Sequence, residues 1–196
     1  LELLGLHSHI GSQIFDRSGF EVAARRIVAL RAQIQRDHDV RLPEVDLGGG
    51  FGMRYTSQDT PPPITDMAQQ LAEMVAKTCA EEGSDLPAVS FEPGRSIVGP
   101  SVFTLYSVGT VKPVETDTGV RTYVSVDGGM SDNVRTALYD ADYSCTLASR
   151  GSTADPLVVR VVGSHCESGD IIVRDEYLPA DVTAGDLVAV PGTGAY

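Results

Sequence analysis

The sequence has 196 residues, of which 42% are hydrophobic and 21% are charged, and its formal net charge is −12. This composition is typical of a globular protein with one large domain or two small ones. The negative charge argues against nucleic acid or an anionic membrane surface as a partner, and no apolar run approaches the roughly 20 residues that a membrane helix needs. Because no secretory signal is visible, we expect a cytoplasmic protein.

The first half of the chain alternates strand-like and helix-like segments. Ser18 and Glu21 form a pattern typical of a capping box, and Thr65 is positioned to cap a second helix that ends at Gly83. The first helix is predicted to bury Ala23, Ile27, Leu30 and Ile34, and the second to bury Met67, Leu71, Met74 and Val75. Short apolar strands precede each helix and follow the second one, and the repeat of about 40 residues indicates βα units around a parallel sheet.

The second half of the chain has a different pattern. After Pro100, five short runs rich in Val, Ile, Thr and Tyr are separated by turn residues, and only residues 132–140 show a helix-like pattern. Such runs are typical of a mostly antiparallel β-sandwich or β-barrel. We therefore predict two domains, residues 1–100 and residues 101–196.

Glycine and polar residues follow each of the three strands in the first half. The segments are HSHIGSQ, DLGGGF and FEPGR. Ligands of parallel α/β folds bind at the carboxyl ends of the strands, where glycine N–H groups favour a phosphate. Taken singly, a glycine run is most often a turn, a lone histidine is most often an ordinary polar residue, and Arg95 could be a solvated loop charge. Their recurrence at the same end of successive strands favours one ligand site.

The three segments, together with RTALYDADY, CESGD and the terminal GTGAY, resemble the fold-type III pyridoxal-phosphate-dependent amino acid decarboxylases. The motifs occur in the family's order, so the resemblance covers the whole chain. It implies that residues 1–100 are the C-terminal part of a cofactor-binding (β/α)8 TIM barrel. It also implies that residues 101–196 are a β domain of the alanine racemase/decarboxylase C-terminal type.

The resemblance also implies a role for each motif in binding pyridoxal 5′-phosphate. His9 is expected to stack on the cofactor ring, and Glu92 is expected to pair with the ring nitrogen. The phosphate is expected to be held by Ser12, Gly49, Gly50, Gly94 and Arg95, and Tyr196 is expected to contact both cofactor and substrate. No metal site is expected, because the sequence has no CxxC or Cys/His ligand cluster.

By the same resemblance, the substrate is a small amino acid bound by Arg95, Arg135, Tyr139, Glu167 and Tyr196. Two arginines suit a substrate with two carboxylates. Arg135 and Tyr139 are four residues apart, so a helical turn would place them on one face. Without the family resemblance, Arg135 would be interpreted as a surface charge. Tyr196 would be interpreted as a chain-end residue near disorder.

Cys166 is expected to be catalytic. The other two cysteines, Cys79 and Cys145, are interpreted as small buried hydrophobic residues, and three cysteines far apart do not form a disulfide framework. In the family, the cysteine of the CESGD motif protonates the carbanion left by decarboxylation, and it reaches the active site of the second subunit of a homodimer. Glu167 is typical of members that convert meso-2,6-diaminopimelate to L-lysine in lysine biosynthesis, whereas ornithine-specific members use Asp.

One family feature is absent from this sequence. A pyridoxal-phosphate enzyme needs a lysine for a Schiff base, and the two lysines of the chain, Lys77 and Lys112, lie outside any family context. About 100 residues before the β domain are also too few for a TIM barrel of about 250. The chain is therefore interpreted as a fragment, and alone it is expected to be inactive.

Three alternatives remain open at this point. The first is a decarboxylase of another basic amino acid, such as ornithine, arginine or lysine. The second is a non-catalytic relative that uses the fold to bind a partner, which the missing lysine would favour but the retained Cys166 would not. The third is a soluble α/β protein without a site, which six ordered motifs argue against.

Overall fold

A computed structural model of the chain describes residues 2–196, and these residues divide into two compact units. The first unit contains residues 2–53 and Thr60–Ile97. The second contains Arg54–Asp59 and Val98–Tyr196. The second unit thus includes a six-residue segment that lies between two parts of the first along the sequence.

The first unit is built on a three-stranded parallel sheet. Its strands are β1 (Gly5–His7), β2 (Glu44–Asp46) and β3 (Ala88–Ser90), in the order β1-β2-β3. Helix α1 (Ser18–His38) connects β1 to β2, and helix α2 (Ile64–Glu82) connects β2 to β3. A short helix, α3 (Gly94–Val98), follows β3. The expected βα alternation and parallel sheet are therefore confirmed.

Both predictions about the helix starts were wrong. Ser18 is the first helical residue of α1, and Arg17 occupies the cap position but makes no side-chain cap hydrogen bond. The Ser18 hydroxyl and N–H instead donate to the Asp16 carboxylate, which takes the local role that Ser18 was expected to have. Helix α2 begins one residue before Thr65, after Pro63, whose fixed backbone angle ends the preceding loop. The predicted end at Gly83 is confirmed, with Gly83 in the left-handed conformation at φ 65°.

The two helices bury apolar faces against the sheet. The predicted face of α2 is confirmed, because Met67, Leu71, Met74 and Val75 are all buried. The predicted face of α1 is partly wrong, since Leu30 is 48% exposed and the buried positions are Phe20, Ala24, Ile27, Val28, Arg31 and Ala32. Aromatic stacking extends this core to the loop after β2, where the Phe20 and Phe51 ring centroids lie 4.9 Å apart.

The second unit is a six-stranded sheet in the order β6-β9-β4-β5-β7-β8. The strands are β4 (Phe103–Thr116), β5 (Gly119–Val126), β6 (Thr146–Leu147), β7 (Pro156–Val162), β8 (Ile171–Pro179) and β9 (Leu187–Pro191). A short helix, α4 (Arg135–Tyr139), falls inside the predicted helical stretch. All five predicted strands are present, and the two-residue strand β6 was not predicted.

The expectation of a mostly antiparallel sheet is confirmed, with one parallel pair. Strands β5 and β7 pair in parallel, with Thr122 opposite Val159 and Ser125 opposite Val162, whereas the other pairs are antiparallel. The two end strands of the sheet, β6 and β8, lie against each other, so the sheet curls toward a barrel. None of the helices in the described part of the chain is both long and apolar enough to cross a membrane.

Candidate active site

Three polar side chains meet at the carboxyl edge of the parallel sheet. His7 ends β1 and is paired in register with Asp46, which ends β2, and Glu92 lies two residues beyond the β3 residue paired with Asp46. His7 Nε2 lies 3.1 Å from Glu92 Oε2. A ring nitrogen of His7 and one carboxylate oxygen each from Asp46 and Glu92 all lie within 4.8 Å of one another. The parallel register therefore gathers an imidazole and two carboxylates at one point.

The glycine loop after β2 packs tightly against its neighbours. A Cβ at Gly48 would collide with the Ser8 carbonyl oxygen, one at Gly49 with that of Glu92, and one at Gly50 with that of Gly11. Gly48 and Gly50 also have φ values of 71° and 98°, which other residues rarely adopt. The three glycines therefore let the loops that follow β1, β2 and β3 approach each other at backbone distance.

This edge carries hydrogen-bond donors suited to an anion. Among the described residues, the backbone N–H groups of Gly49 and Gly50 donate to no protein acceptor. Arg95, which is buried on α3, donates from Nη2 to Ser12 Oγ at 2.6 Å. The buried Ser8 hydroxyl, at the end of β1, has no hydrogen-bond partner in the described chain. A phosphate needs such backbone and guanidinium donors, so these residues fit it.

Two further predicted cofactor residues lie beside this edge. The His9 ring is close to Gly48, since a Cβ there would stand 3.3 Å from His9 Nδ1, and His9 is exposed. Gly94 is the first residue of α3, is exposed, and has open space around its Cβ position. The structure thus places His9, Ser12, Gly49, Gly50, Glu92, Gly94 and Arg95 in one unit, on the three loops that follow β1, β2 and β3.

The other predicted residues belong to the second unit. Arg135 is buried at the start of α4, donates from Nη1 to the Tyr143 hydroxyl at 2.6 Å, and lies over the Tyr55 ring at 4.7 Å and the Tyr143 ring at 5.6 Å. No ion pair to Arg135 occurs among residues 2–196. A buried guanidinium that is held by aromatic rings and lacks a protein carboxylate is suited to bind an anionic ligand.

The two predicted tyrosines have exposed side chains. Tyr139 is four residues from Arg135, and both lie on α4 as expected. However, the Tyr139 side chain is 72% exposed, whereas Arg135 is buried. Tyr196 is 81% exposed and has a φ of 63°.

The loop between β7 and β8 presents Cys166 and Glu167 to solvent. The buried Asp170 anchors this loop, because its carboxylate accepts hydrogen bonds from Met130 N at 2.5 Å, His165 N at 2.7 Å and His165 Nδ1 at 3.0 Å. Burial alone would raise the pKa of Asp170, but the hydrogen bonds from the His165 and Met130 N–H groups outweigh it and lower the pKa. A charged Asp170 therefore fixes both ends of the segment that carries the thiol.

The other two cysteines are buried, as expected. Cys79 lies in the core of the first unit, and Cys145 lies in the second. Burial raises the pKa of the Cys145 thiol to about 12, and the nearby Glu176 charge adds to the shift. Among the three thiols, only Cys166 is therefore accessible for chemistry in the described chain.

Several residues of the site were missed in the sequence. His7 and Asp46 lie inside quoted motifs, and their positions at strand ends were a usable signal. Asp170 closes the CESGD motif, but its partner Met130 is 40 residues away and cannot be inferred from spacing. Tyr55 and Tyr143 carried no local signal, because they meet only in the folded second unit.

Free backbone donors and a buried arginine at the carboxyl edge of a parallel βα unit are typical of the class of α/β proteins that bind phosphorylated ligands. Residues 1–99 match the pyridoxal binding domain of pyridoxal-dependent decarboxylases, and residues 97–194 match the C-terminal sheet domain of the same family. The chain therefore belongs to the pyridoxal-dependent decarboxylase family. The expected fold, family and cofactor class are confirmed.

Curated relatives and solved structures agree with this assignment. The chain is 53% identical to a diaminopimelate decarboxylase of Mycobacterium tuberculosis, over 100% of this chain and 45% of the relative. It is 45% identical to one of Bacillus subtilis, over 100% of this chain and 44% of the relative. A diaminopimelate decarboxylase structure from M. jannaschii with L-lysine matches with a TM-score of 0.87 and 31% identity, over 98% of this chain and 42% of that chain.

The chain spans less than half the length of the curated relatives it matches. The roles of individual site residues and the domain boundary at residue 100 stay predictions.

Proposed function

We propose that the protein to which this chain belongs is a pyridoxal-phosphate-dependent decarboxylase that converts meso-2,6-diaminopimelate to L-lysine and CO2. The observation that carries the proposal is the convergence of a glycine loop, a buried arginine and an acid at the carboxyl edge of β1–β3. The substrate follows from the identity of 53% to curated diaminopimelate decarboxylases along the whole chain. We expect a cytoplasmic enzyme whose domains divide near residue 100.

The first unit would hold the cofactor. The phosphate would be bound by Ser12, by the N–H groups of Gly49 and Gly50, and by Arg95 with its neighbour Gly94. The hydrogen bond between Arg95 and Ser12 supports this grouping. His9 would stack on the ring, and the Glu92 carboxylate would hold a proton on the ring nitrogen. When bound, the cofactor withdraws electrons from the carbon that loses CO2.

Arg135 would bind a substrate carboxylate. Removing a guanidinium from water is costly unless an anion accompanies it, and the described part of the chain supplies no carboxylate to Arg135. The hydroxyl of Tyr143 and the flanking aromatic rings fix its orientation. Arg95 would contribute a second cation, and the exposed rings of Tyr139 and Tyr196 would contact the substrate and, for Tyr196, the cofactor.

Cys166 would donate the proton that replaces the departing carboxyl group. The proton leaves Sγ and forms the new C–H bond at the decarboxylated carbon, and the resulting thiolate is reprotonated from solvent. Glu167, next to it, would accept the distal ammonium group of the substrate. We propose that the exposed β7–β8 loop serves the active site of a second copy, so that the enzyme is a homodimer with shared sites.

The function is tested with the full-length protein on a panel of diaminopimelate, lysine, ornithine and arginine. We expect CO2 release from meso-2,6-diaminopimelate only, and Cys166→Ala should lower kcat by at least about a hundredfold while KM changes little, because general acid catalysis contributes about 10²–10⁴-fold. Cys79→Ala is the control, since that thiol is buried in the core.

The Glu167→Gln variant tests which substrate is bound, independently of the proton transfer from Cys166. It removes the charge that would bind the distal ammonium and should raise KM for diaminopimelate while the cofactor content stays unchanged. Preferred turnover of ornithine, arginine or lysine would refute the substrate, and cofactor binding without turnover of any amino acid would favour a non-catalytic relative.

A further inference from the structure

His7 has no role in the proposed function, although it contacts the acid on which that function depends. We propose that His7 is a positioning residue that holds the Glu92 carboxylate in place for the cofactor ring nitrogen. This inference rests on the proposed function, since it concerns how Glu92 performs the role assigned to it. It adds a second histidine, distinct from His9, to the cofactor site.

The contact follows from the geometry of the sheet. His7 ends β1 at the register position of Asp46, and Glu92 extends beyond β3 on the far side of β2. The His7 ring crosses the end of β2 and brings Nε2 to 3.1 Å from Glu92 Oε2. Because an ionised carboxylate only accepts hydrogen bonds, the His7 Nε2–H donates to Oε2 and leaves Oε1 available.

Glu92 needs such a partner because nothing else in its surroundings fixes it. Its side chain is 56% exposed, and that of His7 is 53% exposed. His7 is the one hydrogen-bond partner recorded for the Glu92 side chain among residues 2–196. A glutamate on a loop that lacks this bond would sample several rotamers, and only one of them can face a ring nitrogen.

Asp46 connects this pair to the glycine loop. Asp46 Oδ1 accepts a hydrogen bond from Gly48 N at 2.7 Å, and the Gly48 carbonyl accepts one from Glu92 N at 2.9 Å. The carboxylates of Asp46 and Glu92 lie close together, and two like charges at this separation repel each other. A ring nitrogen of His7 lies within 4.8 Å of an oxygen of each carboxylate, so the dipole of its N–H partly offsets this repulsion.

The functional consequence is control of the charge on the cofactor ring. A correctly placed carboxylate keeps the ring nitrogen protonated, and a displaced one does not. Loss of His7 should therefore reduce ring protonation and kcat, whereas binding of the amino acid substrate, which uses other residues, should change little.

The test compares full-length His7→Leu and His7→Gln with wild type, using bound pyridoxal phosphate labelled with ¹⁵N in the ring. In His7→Leu we expect the ¹⁵N resonance to move toward that of a neutral pyridine. We also expect kcat to fall about tenfold, the effect of losing one hydrogen bond to a charged group, with KM nearly unchanged. His7→Gln, whose amide can still donate, should restore part of both signals.

Two control variants make the outcomes distinct. His38→Leu removes an exposed histidine at the end of α1, away from the sheet edge, and should resemble wild type. Glu92→Gln should show a neutral ring whether or not His7 matters. A protonated ring and wild-type kcat in His7→Leu would overturn the inference, whereas a wild-type protein that binds no pyridoxal phosphate, or a Glu92→Gln variant with a protonated ring, would instead refute the proposed function.

Discussion

Asp170 shows how one buried side chain sets the position of a reactive loop. It is almost fully buried, and its carboxylate accepts three hydrogen bonds, two from His165 and one from Met130. A Cβ at Gly129 or Gly163 would collide with its carboxylate, so the backbone closes around it at glycine positions. The exposed Cys166 and Glu167 therefore project from a segment whose ends are fixed by a single acid.

We predict that Asp170 makes the stability of the protein depend on pH in the acidic range. Its pKa is lowered from the usual 3.8 in the folded protein, so its contribution is complete above about pH 4 and is lost as the pH falls through the lower folded pKa. The free energy of unfolding, measured with urea at pH 7 and at several values below pH 4, should therefore decrease on acidification.

Asp170→Asn isolates this contribution. The variant should be less stable than wild type at pH 7 and should lose less stability on acidification, because its amide does not titrate. The control is Asp117→Asn, in the tight turn between β4 and β5, which should follow the wild-type profile. Parallel pH profiles for wild type and Asp170→Asn would contradict the prediction.

At the scale of single residues, the sequence indicates most of the residue types at the candidate site but not their contacts. The motifs indicate His9, Glu92 and Arg95 as candidates because each follows a strand end. They did not identify Tyr143 as the partner of Arg135, since that hydrogen bond exists only after α4 packs into the second unit. Contacts of this kind depend on tertiary packing and leave no local pattern.

At the scale of secondary structure, the apolar core of the first unit supports the glycine loop directly. Phe51 follows Gly50. Its ring stacks on that of Phe20 of α1, with centroids 4.9 Å apart, and makes an edge-to-face contact with Phe91, with centroids 5.9 Å apart. Helix α1 is thereby connected to the loop that would bind phosphate. Loss of this aromatic contact should lower the free energy of unfolding and weaken cofactor binding.

We predict that Phe20→Ala destabilises the full-length protein by about 3 kcal/mol or more, because it removes a buried aromatic side chain and leaves a cavity. Urea unfolding measures this loss, and a titration with pyridoxal phosphate should show weaker binding. Val22→Ala, on the exposed side of the same helix, should change stability by no more than about 0.5 kcal/mol. Equal effects of the two substitutions would show that the stacked rings do not support the loop.

The ends of elements were predicted less well than their cores. Gly83 was identified correctly because a left-handed residue at a helix end favours glycine. Ser18 and Thr65 were misplaced because the capping pattern cannot distinguish a cap residue from the first helical residue. Strand β6 was missed because its two residues are defined only by pairing with β9.

At the scale of the whole molecule, the change of pattern near residue 100 predicted two kinds of architecture. The parallel sheet followed from alternating strands and helices, and the β-rich part followed from closely spaced strands. The parallel pairing of β5 with β7 could not be predicted, because the residues between them are compatible with several strand orders. The Arg54–Asp59 segment, which joins the second unit, was likewise not indicated by its sequence.

Neither lysine of the chain belongs to the loops that follow β1, β2 and β3. Lys77 is exposed on α2, where its amino group lies 3.9 Å from Glu81, and Lys112 lies in the middle of β4, opposite Tyr123 of β5. Lys77 lies on a helix of the first unit, and Lys112 lies on a strand of the second unit. A lysine that bonds covalently to the cofactor must reach the same site as Glu92 and Arg95, and neither Lys77 nor Lys112 lies in a segment that the family resemblance assigns to that site.

We therefore predict that the full-length protein attaches pyridoxal phosphate to a lysine outside residues 1–196. Reduction of the cofactor-loaded protein with borohydride, followed by proteolysis and mass spectrometry, should locate the reduced cofactor on a peptide outside this range. Lys77→Arg and Lys112→Arg should keep wild-type cofactor content, and a polypeptide of residues 1–196 alone should show no decarboxylation. A modified Lys77 or Lys112, or turnover by that polypeptide, would mean that these residues already contain a complete catalytic site.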